Sequence, residues 1–203
     1  MLTVVAGTKS ELPLGLEAEL ARYRHAIFIE TLGWQLPVEN GLERDQFDRA
    51  DTLYVVAKDR VGVICGCARL LPTTKPYLLD EVFPHLMGDL PAPHSPSVWE
   101  LSRFSSKPKQ GEPVLTREEA RRRFSLLFAT LASTALEKGA TRLITFTAMG
   151  VERILRNMGL HAHRVGSPQL VDNEPVLALW IELDSTTCGA LGIELSEARA
   201  TQH

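Results

Sequence analysis

The sequence predicts a single α/β domain, a central mixed sheet sandwiched by helices, and three observations predict it. Strand-like and helix-like stretches follow one another in the order strand, helix, strands, then strand, helix, strand, helix, strand. A hairpin signal, Asp51–Lys58 then Val61–Leu71, has a second strand that is nearly all apolar, which marks it as central. A helix expected over Thr116–Lys138 joins two strand candidates and is compatible with their parallel pairing. The 203 residues suit one domain with a full core.

Leu2 to Val5 is a short strand candidate. Leu16–Leu32 has helical periodicity, with Leu16, Leu20, Tyr23 and Ile27 in its apolar stripe, Phe28 at the margin and Gly33 as its stop. Residues 33–50 have no period. A loop that long in a compact domain is functional or disordered, and Trp34 and Phe47 argue against disorder. In the hairpin, a tight turn is expected at Asp59-Arg60, with Gly62 at its end. Gly66 marks a bulge or a close backbone approach, and Arg69, inside the buried strand, needs an anionic partner.

Pro72 to Pro96 is a Pro-punctuated connection. It holds a short helix within Tyr77–Leu86, with Leu78, Leu79, Val82, Phe83 and Leu86 inward. Val98–Phe104 is a strand. Thr116 and Glu119 form a capping box for the long helix, whose core face is Phe124, Leu127, Phe128, Leu131 and Leu136 and whose end is Gly139. Arg142–Thr147 is a strand. Val151, Ile154, Leu155 and Met158 mark a short helix closed by Gly159, and Val176–Leu183 is the last buried strand. The tail from about residue 194 is charged and small and is expected to fray.

Composition excludes several classes. A net charge of -3 argues against a general nucleic-acid binder, and no apolar run approaches a membrane span. The first residues lack a basic region followed by an apolar stretch, so no signal peptide is expected. The three cysteines read as reduced structural thiols in a cytoplasm. Cys65 and Cys67 share a strand face but have no second pair for a zinc site, and His161-Ala162-His163 lacks further ligands, so no metal is expected.

The chain is organised around Val98-Trp99-Glu100-Leu101-Ser102-Arg103-Phe104, a strand-like run carrying a carboxylate and a guanidinium three residues apart. Ideal alternation puts Glu100 and Arg103 on opposite faces, so lining one pocket requires a bend or bulge there. Together with Arg24, Asp45, Asp48 and Arg69 they make three acids and three bases, each expensive to bury alone. Interleaved, they would neutralise one another beside Phe28, Trp34 and Phe104.

The pattern Arg24-x-x-x-Phe28-x-x-x-x-x-Trp34, then Glu43-Arg44-Asp45-Gln46-Phe47-Asp48, Gly66-Cys67-Ala68-Arg69-Leu70 and Trp99-Glu100-Leu101-Ser102-Arg103-Phe104, resembles the acyl-homoserine-lactone synthases, the LuxI-type autoinducer synthases. Leu143–Thr147 followed by Gly150-Val151-Glu152-Arg153 resembles them too, and the likeness runs from about Tyr23 to about Trp180. It implies a fold related to the N-acetyltransferases (GNAT-related). It implies two substrates, S-adenosylmethionine and an acyl chain carried by acyl carrier protein, with no cofactor, since S-adenosylmethionine is consumed. The amine is acylated, the lactone closes, methylthioadenosine leaves, and the product is a quorum-sensing signal made in the cytoplasm.

By the same resemblance, Arg24, Phe28, Trp34, Asp45, Asp48, Arg103 and Phe104 would form the S-adenosylmethionine site. Glu100 would be the base, through a water, with Asp45, Asp48, Arg69 and Arg103 completing the catalytic set. Phe83, Ser102, Thr145 and Thr147 would line the acyl chain, which would run between the sheet and the Thr116–Lys138 helix; a threonine at Thr147 goes with 3-oxo chains. Arg121, Arg122, Arg123, Arg153, Arg156 and Arg164 would offer a basic face to the acidic carrier, and an ordinary solvated helix face explains the same arginines equally well. A plain acetyl-CoA-dependent N-acetyltransferase is the first rival. It needs a Gly-rich phosphate loop that Ser105–Gly111 does not supply. A catalytically dead binding module is the second, and the intact charged set argues against it.

Overall fold

The structure is a computed structural model that describes residues 2–109, 111–171 and 173–194. In chain order it comprises β1 (Thr3–Thr8), α1 (Leu16–Arg24), β2 (Val38–Glu39), β3 (Leu42–Glu43), β4 (Leu53–Lys58), β5 (Ile64–Pro72), α2 (Leu78–Glu81), β6 (Val98–Ser105), α3 (Arg117–Glu137), β7 (Arg142–Ala148), α4 (Met149–Asn157), β8 (Ala162–Arg164), β9 (Gln169–Val171), β10 (Glu174–Glu182) and α5 (Ser185–Leu191). The α/β order matches the expectation. The fraying expected of the tail lies outside the described residues beyond Glu194.

Backbone contacts group the chain into two compact units, residues 1–70 with 103–131, and 71–102 with 132–203. In the first unit, β1 pairs antiparallel with β4 and β4 antiparallel with β5, with a register shift between Ala57 and Lys58. Leu16, Leu20, Tyr23, Ile27 and Phe28 bury the expected stripe of α1 and its extension against Tyr54, Val56, Ile64 and Cys67. The helix does continue past Arg24, but His25–Thr31 is a π-helical segment, in which the Leu32 N–H reaches the Ile27 carbonyl five residues back at 3.0 Å. Gly66 meets its expectation. A Cβ there would stand 3.1 Å from the Ser105 carbonyl oxygen and 3.3 Å from Leu127 Cδ2. Thr116 and Glu119 form the predicted capping box, each bonding the other's backbone N–H, at 2.9 and 3.2 Å.

Two details depart from the reading. The hairpin loop is not a tight turn at Asp59-Arg60 but runs Asp59–Val63, because Asp59 Oδ1 accepts the N–H groups of both Val61 and Val63, at 3.0 and 2.9 Å. The aperiodic 33–50 segment holds its own small hairpin, β2 with β3, turning through Asn40 (φ 52°) and Gly41 (φ 72°). Asn-Gly is the strongest short hairpin signal, and here the polar residues around it hid two strands of two residues each.

In the second unit, β6 and β7 pair in parallel, Val98 opposite Arg142 and Glu100 opposite Ile144, as the intervening helix suggested. β10 pairs antiparallel with β7, β8 and β9. Thr73 and Tyr77 hydroxyls donate to the Val98 and Pro93 carbonyls at 2.8 Å each, tying down the Pro-rich connection. Leu78, Leu79 and Leu86 are buried there as expected, but Val82 is exposed because the helix ends at Glu81. In α4 Leu155 is buried and Ile154 exposed. Strands β8 and β9 and helix α5 went unforeseen; Asp184 caps α5 by accepting the Thr187 N–H at 3.0 Å. Among the described residues no helix is long and apolar enough to cross a membrane.

Candidate active site

Three buried arginines of the first unit meet three acids. Arg24 ends α1. Its Nε donates to Glu43 on β3, and Nη1 and Nη2 donate to the two oxygens of Asp48 at 2.7 and 3.0 Å. Arg69, on β5, donates from Nη1 to Asp45 at 2.6 Å and to Asp48 at 3.2 Å. Arg103 donates from Nε and Nη2 to Glu43 Oε1, at 3.2 and 3.1 Å, and from Nη2 to Asp45 at 2.9 Å. Each acid therefore bridges two guanidiniums. Glu43 and Arg69 are both 0% exposed. Asp45 and Asp48 sit in a loop folded on itself, since Asp48 accepts the Asp45 N–H and Asp45 accepts the Phe47 N–H, each at 2.9 Å. The Tyr54 hydroxyl also donates to Asp48, at 2.9 Å.

Arg103 is reached by a backbone distortion. Its φ is 50°, left-handed for a non-glycine residue within a strand, a distortion in the run where a bend or bulge was expected for Glu100 and Arg103 to share a pocket. Burial penalises every charge here. For Asp48, burial pushes the carboxyl up, but the charge and hydrogen bonds of Arg24 and the charge of Arg69 outweigh it and hold the group well below the carboxylate range. Burial likewise opposes the charge on Arg24, and Asp48 and Glu43 more than restore it. Arg103 differs. Burial, then the neighbouring charge of Arg69, leaves it below the usual arginine value despite Glu43 and Asp45. A guanidinium in that position gains most from one more anion.

Two rings flank the cluster. Arg103 stands 5.8 Å from the Phe28 ring centre and Arg69 5.9 Å from that of Phe47. Phe28 stacks on Trp34 at 5.0 Å, and Trp34 is 44% exposed, so an aromatic surface next to the charges faces solvent. Phe104 contacts Phe124 and Phe128 of α3 instead, at 4.9 and 5.7 Å.

Of the six expected charges, five come together: Arg24, Asp45, Asp48, Arg69 and Arg103. Glu43 takes the sixth place. The sequence reading passed over Glu43 as part of a charged run; its spacing of two from Asp45 on an extended chain was the available signal. Glu100 lies in the second unit, fully buried, and accepts the N–H groups of Leu78 and Leu79 at 2.7 and 3.2 Å. Also there, the Thr145 hydroxyl donates to the Leu101 carbonyl at 2.8 Å, Ser102 is buried, Thr147 is half-buried, and half-buried Phe83 packs on Phe146 at 4.8 Å.

The six arginines expected on a basic face divide. Arg123 donates inward to the Cys65 carbonyl, and Arg156 and Arg164 pair with Glu152 at 3.0 and 2.7 Å. Arg121, Arg122 and Arg153 are exposed. His161 and His163 pair with Asp184 and Glu182, and no metal-binding group of three or more His, Cys, Asp or Glu occurs among the described residues.

Comparison with known proteins gives this geometry its context. The autoinducer synthase family profile matches residues 13–191. An acyl-homoserine-lactone synthase of Ralstonia solanacearum is 48% identical over 98% of this chain and 97% of its own. The crystal structure of TofI in a ternary complex with an inhibitor and MTA superposes with a TM-score of 0.81 at 46% identity, covering 95% of this chain and 97% of that one. The AHL synthase LasI gives 0.85 at 32% identity over 98% and 99%. BjaI, a CoA-dependent acyl-homoserine lactone synthase solved with SAM and isopentyl-CoA, gives 0.78 at 26% identity over 96% and 90%. A putative N-acetyltransferase from Lactobacillus plantarum shares the fold alone, at 0.58 and 17% identity over 90% and 99%. Matched by the family profile over most of its length and similar along nearly the whole chain to proteins of that activity, the chain belongs to the autoinducer synthase family, the acyl-homoserine-lactone synthases, and is an acyltransferase.

Proposed function

We propose that the protein transfers an acyl chain from acyl carrier protein to the amine of S-adenosylmethionine and then closes the lactone. The observation that carries this reading is the balanced cluster of Arg24, Arg69 and Arg103 with Glu43, Asp45 and Asp48 beside the stacked Phe28 and Trp34. S-adenosylmethionine carries a sulfonium, an amine and a carboxylate. Aromatic faces attract the sulfonium, the acids answer the amine, and Arg103 receives the carboxylate. Arg24, Arg69, Asp45 and Asp48 hold this frame, with Phe28 and Phe47 against its guanidiniums; Phe104, packed on α3, is the proposed contact with the least support. SAM and MTA bound to relatives support the same choice.

In the first step the neutral amine attacks the thioester carbonyl. The C–N bond forms, the C–S bond to the carrier breaks, and the amine proton leaves through a water to Glu100. In the second, the substrate carboxylate attacks its own γ-carbon. The C–O bond forms as the sulfonium C–S bond breaks, releasing methylthioadenosine and needing chiefly proximity. Phe83, Ser102, Thr145 and Thr147 are the proposed contacts of the acyl chain. Three free, buried thiols fit a reducing cytoplasm.

Acyl-CoA is the second reading for the donor, favoured by the CoA-dependent relatives. The test incubates the protein with S-adenosylmethionine and the same medium-length acyl group on acyl carrier protein or on CoA, with lactone and methylthioadenosine followed by mass spectrometry. Both products, formed faster from the carrier, are expected. Faster turnover of acyl-CoA would reassign the donor. Acetylation of another amine without methylthioadenosine would overturn the whole reading.

A further inference from the structure

Arg103 carries a backbone cost that its guanidinium alone does not explain. A non-glycine residue in the left-handed region persists only where its surroundings over-determine it. The Glu43 and Asp45 contacts are made by the guanidinium and act on the side chain rather than on the peptide. What meets the peptide is Cys67. Its thiol donates to the Arg103 carbonyl oxygen at 3.2 Å, from a side chain 1% exposed.

Cys67 lies on β5 two residues before Arg69, so the two side chains leave the strand on the same face. It faces Val56 on β4, as Arg69 faces Tyr54, the donor to Asp48. Behind it, Gly66 leaves room for the Ser105 carbonyl, two residues past Arg103. Arg69 and Arg103 grip opposite oxygens of Asp45, at 2.6 and 2.9 Å. The thiol bond therefore sets one side of a frame in which Asp45 is the other. Burial pushes the thiol pKa up to about 12, so the sulfur keeps the proton it donates.

We infer that Cys67 is a positioning residue: its thiol holds the left-handed Arg103 peptide and thereby sets the Arg103 guanidinium for the substrate carboxylate. This rests on the proposed S-adenosylmethionine site. Cys67→Ala removes the donor, Cys67→Val removes it while filling the space, and Cys67→Ser keeps it. Calorimetric titration with S-adenosylmethionine is expected to show binding weakened about three- to fivefold in the Ala and Val variants and largely restored in Ser, the size of one weak hydrogen bond. The KM for the acyl donor should stay at the wild-type value. A ligand-free readout stands beside it. The Arg103 Nε–H signal in NMR is expected to shift or broaden in Ala and Val and to keep its place in Ser.

Wild-type binding in all three variants together with an unmoved Arg103 signal would overturn the inference. So would equal losses in Ala, Val and Ser, or losses that follow the melting temperature alone. If wild-type protein fails to bind S-adenosylmethionine, the proposed function falls. The Arg103 signal then still decides whether Cys67 holds the peptide.

Discussion

At the scale of single residues, burial sets the stakes. Buried ion pairs add little net stability, but removing one partner strands the rest. Asp48 takes charge from both Arg24 and Arg69, so Asp48→Asn leaves two buried guanidiniums short of an acceptor. A loss of about 3–5 kcal/mol is expected in urea unfolding. The pH dependence has a definite sign. The folded carboxyl lies below its ordinary value of 3.8, so its contribution is complete above that value and is lost as pH falls through the lower, folded one. Stability measured from pH 5 downward should decline more steeply in wild type than in Asp48→Asn.

Legibility also differed residue by residue. Arg24, Arg69 and Arg103 could be picked out because charges inside apolar periods are conspicuous, whereas Asp45 and Asp48 lie in a segment without a period and stood out beside Phe47 and through the family motif. Glu43 could not, because it sits among Glu39, Arg44 and Asp45, where any charge looks solvated until the Asn40-Gly41 turn folds it inward. Glu100 was conspicuous for the same reason as Arg103, yet its chain-alternation face sends it to the backbone of α2.

Elements with strong local signals matched their expectations: the capping box of α3, the apolar stripe of α1, the β4–β5 hairpin. Short or edge elements such as β2, β8 and β9 did not, because two or three residues carry no period. The π-helical continuation of α1 is likewise invisible to a 3.6-residue pattern. At this scale Glu100 joins β6 to the start of α2. As the proposed base, Glu100→Gln should lower kcat about 100-fold and remove the acidic limb of the kcat/KM profile. An unchanged profile with a loosened 72–96 segment, seen by amide exchange, would leave it only the anchoring role.

The whole molecule is mildly acidic, at -3, and is proposed to dock an acidic carrier. Arg156 and Arg164 stay exposed but share their charge with Glu152, and Arg123 donates inward to the Cys65 carbonyl. Arg121 and Arg122 remain at the surface of α3. Reversing both to Glu should raise the KM for acyl carrier protein about tenfold or more and reduce its salt dependence, with the KM for S-adenosylmethionine unchanged. Equal effects on both substrates would place the damage in the fold.

The kink at Arg103 has an evolutionary corollary. Glycine would relax the backbone there, but it would abandon Glu43 and Asp45 in the interior; any longer side chain keeps the contortion. No one-step substitution improves both. Comfort of the main chain and neutrality of the interior pull that position in opposite directions, and a lineage drifting under selection for robustness alone has no single move that eases the conflict.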